Sequence, residues 1–225
     1  APNREIAGAL ERAAGKPVRL MPRGVDCDFF HPRKRSRADE TFSVGYAGRL
    51  SPEKSVRRLA EVARALDQAG IGDFRIEFAG GGAERAWLQE HVARAHFHGV
   101  LQGEALAAAV ANFDVFVFPS GTDTYGNAVQ EAMASGVPCV VTSWGGPASI
   151  VTDGVTGRVC GSVEEMAQAV AELARRPELR RRLGAAARRA AEKRTWDQVG
   201  EIVWNAYQEA LAQKGAAAAE ARCVA

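Results

Sequence analysis

The chain has 225 residues, 47% of them hydrophobic and 25% charged, the balance of a soluble globular protein long enough to bury a sizeable core without disulfides. Its formal net charge of +2 makes no case for nucleic acid as a partner, and no apolar run approaches the roughly 20 residues that span a bilayer. Cys27, Cys139, Cys160 and Cys223 lie far apart with no CxxC pair, so they are expected to be reduced thiols of a cytoplasmic protein, not a disulfide or zinc framework. No signal peptide is recognised and the chain starts without Met, which reads as a fragment or a processed chain.

In chain order, Arg4 to Ala14 reads as a helix ended by Gly15 and Pro17, and Val18 to Met21 as a candidate strand. Arg23 to Pro32, RGVDCDFFHP, reads as an irregular segment closed by proline, and residues 33–40, RKRSRADE, as a charged solvated linker. The pattern then becomes regular. Phe42 to Ala47 is a predicted strand, and Ser51-Pro52-Glu53 reads as the N-cap of a helix running to about Gln68. Phe74 to Ala79 is a second strand, and Gly80 to Gly82 lead into a helix from Ala83 to Ala95. A short strand follows at His96 to His98, then a helix from Gly103 to Asn112. Val115 to Phe118, between Asp114 and Pro119, is an apolar run that reads as a buried parallel strand. A helix at Ala128 to Ser135, capped by Gly136, precedes a strand at Val137 to Thr142. A turn or short helix at Gly145-Gly146-Pro147 and a strand at Gly157 to Cys160 come next. Helices at Val163 to Arg176, Pro177 to Arg194 and Trp196 to Lys214 close the chain, with a frayed alanine-rich end from Gly215. Strands alternating with helices predict an α/β fold, a doubly wound parallel sheet of the Rossmann-like kind. Ligands of such sheets lie at the carboxyl ends of the strands.

The stretch Pro119 to Pro138, PSGTDTYGNAVQEAMASGVP, carries the most chemistry. A strand, a loop with Gly126 and a helix start put free N–H groups and a positive dipole end where a phosphate could approach. Asp123 and Glu131 flank that point, and a carboxylate can accept hydrogen bonds from two hydroxyls at once. A diphosphate with hydroxyl groups at both ends, as in a nucleotide-sugar, would fit. Read alone, Asp123 could equally be a helix cap and Glu131 a solvated acid. Arg49 and Lys54, beside the predicted helix start at Ser51, could neutralise a diphosphate, although composition alone favours an exposed surface pair.

Three segments in this order, GYAGRLSPEKS (Gly45 to Ser55), TDTYGNAVQEAMASGVP and GGPASIVTDGVTGRV (Gly145 to Val159), resemble the sugar-donor half of family 4 glycosyltransferases. These are retaining enzymes of the two-domain GT-B type. RGVDCDFFHP resembles the entry into that C-terminal half, and Trp196 to Leu211 the terminal helices that pack back toward the N-terminal half. The resemblance divides the chain into a crossover segment (1–32), a nucleotide-sugar-binding domain (33–194) and a returning helix with its tail (195–225). It implies that Arg49 and Lys54 hold the donor diphosphate and stabilise the leaving group. It further implies that Glu131 binds the ribose, Asp123 the transferred sugar, backbone N–H groups at Tyr125, Gly126 and Asn127 the sugar and phosphate, and that Val100 and Leu101 lie near the base. Two departures stand out: the family usually has Glu at Asp123, and many members have an acid at Ser149. The N-terminal acceptor domain is not in this sequence, so the chain is expected to bind donor and to be inactive alone. No cofactor beyond the donor and no metal is implied. The acceptor is a lipid or a glycan.

The remaining candidates favour plain readings. Asp26-Cys27-Asp28 spells DxD, but two carboxylates fall short of an oxygen shell. His96 and His98 share a strand face without a third ligand. Arg175, Arg176, Arg180, Arg181, Arg182, Arg188 and Arg189 read as a solvated face paired with Glu178 and Glu192, and peripheral docking to an anionic membrane is the sharper alternative. Trp87, Trp144, Trp196 and Trp204 are expected in core or interdomain packing. An NAD-type dehydrogenase domain is an alternative, but the Gly80 triplet lacks the G-x-G-x-x-G spacing. A GT-B-like nucleotide-sugar epimerase, or a domain that only binds or assembles, is the other.

Overall fold

A computed structural model of the chain describes residues 1–92 and 94–223, with side chains through residue 212. Six strands form one sheet: β1 (Phe42–Ala47), β2 (Phe74–Ala79), β3 (Ala95–Gly99), β4 (Val115–Phe118), β5 (Cys139–Thr142) and β6 (Gly157–Cys160). Their order is β3-β2-β1-β4-β5-β6 and every neighbouring pair is parallel. β1 lies between β2, with Ala47 opposite Ala79, and β4, with Val44 opposite Val115. The strand order reverses there, so the loops after β1 and β4 diverge and open a crevice at their carboxyl ends. This is the doubly wound α/β sheet that the alternating pattern predicts.

The helices are α1 (Arg4–Ala14), α2 (Arg58–Gln68), α3 (Arg85–His91), α4 (Gly103–Ala111), α5 (Asn127–Ala134), α6 (Val163–Arg175), α7 (Pro177–Ala191) and α8 (Trp196–Cys223). α2 packs beside α6 through Leu59, Val62 and Leu66 on one helix and Met166, Val170 and Leu173 on the other, all buried. α5 packs on α7 so closely that a Cβ at Gly184 would sit 2.2 Å from the Gly136 carbonyl oxygen. β1, β4 and β5 are buried along their whole length, which is why they read as unbroken apolar runs. Aromatic rings fill the space between strands: Tyr46 stacks on Phe118 at 5.8 Å and Phe78 on Phe97 at 4.9 Å. Burial of each such side chain contributes about 1.5–3 kcal/mol.

Several sequence expectations need correction. Val18 to Met21 is not a strand. Its N–H groups bond locally, Val18 to Glu11 Oε1 (2.9 Å) and Met21 to the Ala1 carbonyl (2.7 Å), and β1 already has a neighbour on both sides. Ser51-Pro52-Glu53 opens a single 3₁₀ turn, Pro52–Lys54, and Ser55 at φ 53° turns the chain, so α2 starts only at Arg58. The helix expected over Ala83 to Ala95 is α3 alone, and Ala95 belongs to β3. The segment at 33–40 is mostly exposed, as expected of a charged linker, but two of its arginines are tied to the domain. Arg37 is nearly buried and its Nη2 lies 2.5 Å from Asp114 Oδ2, while Arg35 Nη2 binds Asp114 Oδ1 at 2.9 Å. Of the arginines expected on a solvated face, Arg188 is mostly buried and donates to the carbonyls of Cys27, Phe30 and Ala134, and Arg180 is also largely covered. Trp144, Trp196 and Trp204 are exposed, which overturns the expectation of core packing and leaves that of interdomain packing untouched; Trp87 is half-buried against the core. The backbone of α8 continues past Lys214 to Cys223, and the side chains of the expected frayed end, with that of Cys223, lie outside the described residues. The other cysteines are free thiols.

Candidate functional site

Four loops build the crevice, those after β1, β2, β3 and β4. The loop after β1 is stitched to the loop after β2 by Gly48 N–H to the Ala79 carbonyl (3.0 Å), Leu50 N–H to Gly81 (2.9 Å) and Glu84 N–H to Leu50 (2.9 Å). The approach requires glycine: a Cβ at Gly80 would sit 1.9 Å from the Gly48 carbonyl oxygen. The loop after β4 ends at Gly126, which caps α5 with φ 103°, a conformation that glycine reaches without strain. Gly146 N–H holds the Asp123 carbonyl at 2.7 Å, and Asn3, the N-cap of α1, donates to the Thr124 carbonyl at 2.7 Å.

Two adjoining cavities share Ala47, Gly48 and Ala128. The first, about 250 Å³, is mostly apolar and is lined by Arg49, Val100, Leu101 and Glu131. The second, about 350 Å³, is lined by Lys54, Asp123, Tyr125, Gly126 and Asn127. All nine positions singled out in the sequence therefore lie along one crevice at the carboxyl rim of the sheet.

Their states differ. Lys54 Nζ is 2.8 Å from Asp123 Oδ1, with both side chains more than four-fifths buried. Asp123 Oδ2 is buried with no hydrogen-bond partner among the described residues, so an acceptor oxygen is left for an incoming hydroxyl. Arg49 is exposed at the rim, 2.6 Å from Glu53, an ion pair that a ligand phosphate could displace at small cost. Burial alone pushes the Glu131 carboxyl above the usual range. The N–H groups of Tyr125, Gly126 and Asn127 make no hydrogen bond among the described residues and stand at the positive end of α5. This is the helix expected to supply the dipole, whereas no helix starts at Ser51 beside the cations: Lys54 ends a 3₁₀ turn, and α2 begins beyond it.

Sequence reasoning missed the residues that hold this geometry. Tyr46 is fully buried, and its hydroxyl donates to the Arg49 carbonyl at 2.8 Å. Burial, then the charge of Asp123, drives its pKa upward, so it stays a donor. A tyrosine inside an apolar strand implies such a partner, which was the available signal. The Tyr125 ring turns inward, where its hydroxyl meets Gln130 Oε1 at 2.7 Å, and Gln130 Nε2 donates to the Arg23 carbonyl at 2.9 Å. The Tyr125 hydroxyl is therefore already engaged, and Arg23 is brought to line the second cavity beside it.

The other candidates lie elsewhere. Asp26 Oδ1 accepts the N–H groups of Asp28 and Phe29, a local turn. The His96 and His98 rings are 4.5 Å apart, and His98 Nε2 bonds Glu77 Oε2 at 2.8 Å. Among the described residues no group of three or more His, Cys, Asp or Glu could hold a metal ion. Ser149 bonds the Gly146 carbonyl at 2.6 Å and caps its own turn.

Residues 41–176, more than half of the chain, match the family model described as glycosyl transferases group 1. The chain belongs to this family of glycosyltransferases. It is 41% identical over 216 residues to the GDP-mannose-dependent alpha-mannosyltransferase of Mycolicibacterium smegmatis, covering 90% of this chain and 54% of that protein. It is 34% identical over 224 residues to the GDP-mannose-dependent alpha-(1-6)-phosphatidylinositol dimannoside mannosyltransferase of Mycobacterium tuberculosis, covering 95% of this chain and 56% of the relative. This glycosyltransferase chain thus spans about half the length of these relatives. The pneumococcal O-GlcNAc transferase GtfA, solved with UDP and GlcNAc, superposes with a TM-score of 0.77 at 18% identity over 94% of this chain and 44% of its own. That likeness shows the fold, a GT-B glycosyltransferase half, and the family match gives the dehydrogenase alternative no support. No helix among the described residues is long and apolar enough to cross a membrane.

Proposed function

We propose that the chain is the donor-binding half of a retaining, metal-independent glycosyltransferase that takes a hexose from a nucleoside diphosphate sugar to an acceptor hydroxyl. GDP-mannose is the donor to test first, because the relatives at 41% and 34% identity are named for it. The observation that carries the reading is the continuity of the crevice. An apolar cavity ending in a desolvated carboxylate adjoins a polar one with an amine, free amides and a carboxylate with an open oxygen.

In this reading the base lies along Val100 and Leu101, and Glu131 accepts from the ribose diol. The diphosphate crosses the junction at Gly48 toward Arg49, Lys54 and the amides of Gly126 and Asn127. Asp123 accepts from hydroxyls of the transferred sugar. As the glycosidic bond to the diphosphate breaks, negative charge grows on the leaving oxygens, and fixed cations and amides there lower the barrier more than they stabilise the ground state. The acceptor hydroxyl attacks on the face the diphosphate leaves and gives its proton to the departing phosphate oxygen, so configuration is retained. Residues 1–32 form the crossover from an acceptor half, 33–194 the donor domain and 195–225 the returning helix. The acceptor is a lipid or a glycan, and the phosphatidylinositol dimannoside relative favours the lipid, with peripheral membrane contact.

The test is calorimetric titration of the chain with GDP-mannose, GDP, guanosine, UDP-glucose, ADP-glucose and NAD. The diphosphates should bind, GDP more tightly than guanosine. Binding of NAD with none of the sugar nucleotides overturns the reading. Conversion of a sugar nucleotide with no acceptor present would point to an epimerase instead.

A further inference from the structure

The opposite rim of the sheet carries a second charged cavity that the donor reading does not use. It measures about 360 Å³ and lies at the amino ends of β4 and β5, where Asp114 and Pro138 enter those strands. Arg35, Arg180 and Arg181 line it, with Asp114 as its one carboxylate.

That carboxylate is already shared. Arg35 Nη2 takes Oδ1 at 2.9 Å, Arg37 Nη2 takes Oδ2 at 2.5 Å, the Ser43 N–H also bonds Oδ2 at 2.9 Å, and Arg180 Nε stands 3.8 Å from Oδ1. The carbonyls at the ends of α4 and α5 are spoken for as well. Arg35 bonds the Phe113 carbonyl at 3.0 Å, the N–H groups of Val137 and Gly136 bond Ala132 and Met133 at 3.0 Å, and Arg188 bonds Ala134 at 2.6 Å. Arg180 Nη1 also bonds the Leu173 carbonyl at 2.8 Å, and Arg181 pairs with the exposed Glu178, a surface pair worth little. Among the described residues Asp114 is thus the one buried carboxylate shared by Arg35, Arg37 and Arg180. Burial depresses Arg180 below the usual guanidinium range; Asp114 opposes this, and the charges of Arg35, Arg37 and Arg181 add to it. One donor is also left over. Ser135 is 3% exposed, lines the cavity, and its hydroxyl has no partner among the described residues.

We infer that this cavity is a binding site for a phosphate group, free or carried by a small molecule, held by Arg180, Arg181 and the Ser135 hydroxyl, with Arg35 completing the positive wall. A phosphate supplies what the cavity lacks, a compact double negative charge with several acceptor oxygens in guanidinium-matched geometry. A cation would be repelled. The site is independent of the donor crevice, which lies at the other end of α5.

The test is calorimetric titration of the full chain with inorganic phosphate, pyrophosphate and glycerol 3-phosphate, each at ionic strength matched with chloride. It uses an Arg49→Ala, Lys54→Ala background, so that the donor cavity contributes no phosphate cations. Saturable binding is expected in that background. Arg180→Gln should weaken it about tenfold or more, and Arg181→Gln and Ser135→Ala about threefold each. Arg181 is 70% exposed, so its variant tests the site even if Arg180→Gln, which loses a bond to the Leu173 carbonyl, folds poorly. Tightest binding of glycerol 3-phosphate would mark an ester, and of inorganic phosphate or pyrophosphate a free anion. Absence of saturable heat, or affinity unchanged in the Arg181→Gln and Ser135→Ala variants, overturns the inference.

Discussion

Glu131 offers the sharpest contrast between what the empty protein needs and what a ligand needs. Burial alone raises its pKa; no hydrogen bond or neighbouring charge among the described residues offsets it. A folded-state pKa above the unfolded value means that stability is fully present below the unfolded pKa and is lost as pH rises through the folded one. Ionised Glu131 therefore destabilises the empty fold at neutral pH. Glu131→Gln has the same shape and no charge, so it should raise the denaturation midpoint at pH 7, and the gain should vanish near pH 4. Binding should move the other way. A charged hydrogen bond contributes about 1 kcal/mol more than a neutral one, so two bonds to a ribose diol cost about 2 kcal/mol on substitution, or about thirtyfold in Kd. The loss should be the same for guanosine and GDP, because the ribose is common to both. Denaturant titration measures the first quantity and calorimetry the second. A variant that binds as tightly as the wild type refutes the ribose role; a variant of lower stability at pH 7 refutes the account of an uncompensated charge.

Lys54→Ala leaves both carboxylate oxygens of Asp123 unpaired, which should cost about 1–3 kcal/mol of stability. It should also weaken GDP more than guanosine, and equal losses in calorimetry would remove Lys54 from the phosphate. Glu77 is buried, which alone would raise its pKa, but hydrogen bonds from His98, Ser43 and Arg75 and the Arg75 charge bring it down to about 2 from 4.5. Its ionised form therefore stabilises the fold above about pH 4.5 by about 3 kcal/mol, and that contribution fades as pH falls toward 2. The stability gap between wild type and Glu77→Gln should shrink over that range; a gap independent of pH contradicts the assignment. Gly80→Ala puts a methyl group 1.9 Å from the Gly48 carbonyl oxygen, so the loop must shift, at about 1–3 kcal/mol, with loss of nucleoside affinity. Wild-type stability and affinity in that variant would show that the loops are not held against each other.

The sheet was legible because its strands are apolar runs between turn residues: Val115 to Phe118 and Phe42 to Ala47 fall where the pattern puts them. Val18 to Met21 has similar composition but pairs with no strand, the N–H groups of Val18 and Met21 going to Glu11 and Ala1 instead, and composition does not show that. The Ser-Pro-Glu signal does start a turn, but Ser55 leaves the right-handed region and ends it. RKRSRADE is mostly exposed as its composition suggests, and the exception has a tertiary reason: Asp114, far along the chain, buries Arg37 and ties down Arg35. In the crevice, the residue types and their loops could be read from the sequence. The contact between Lys54 and Asp123 could not, because 69 residues separate them and only the order of β1 beside β4 brings them together. Tyr46, Gln130 and Arg23 escaped because they act through carbonyls and packing, which leave no spacing pattern in the sequence.

The most direct measurement is a crystal structure of the chain with GDP-mannose. The account predicts the diphosphate at the junction of the two cavities, its oxygens within hydrogen-bond distance of Arg49, Lys54 and the amides of Gly126 and Asn127, with Glu131 on the ribose. A nucleotide bound on another face, or in the crevice with its diphosphate away from Arg49 and Lys54, would contradict it.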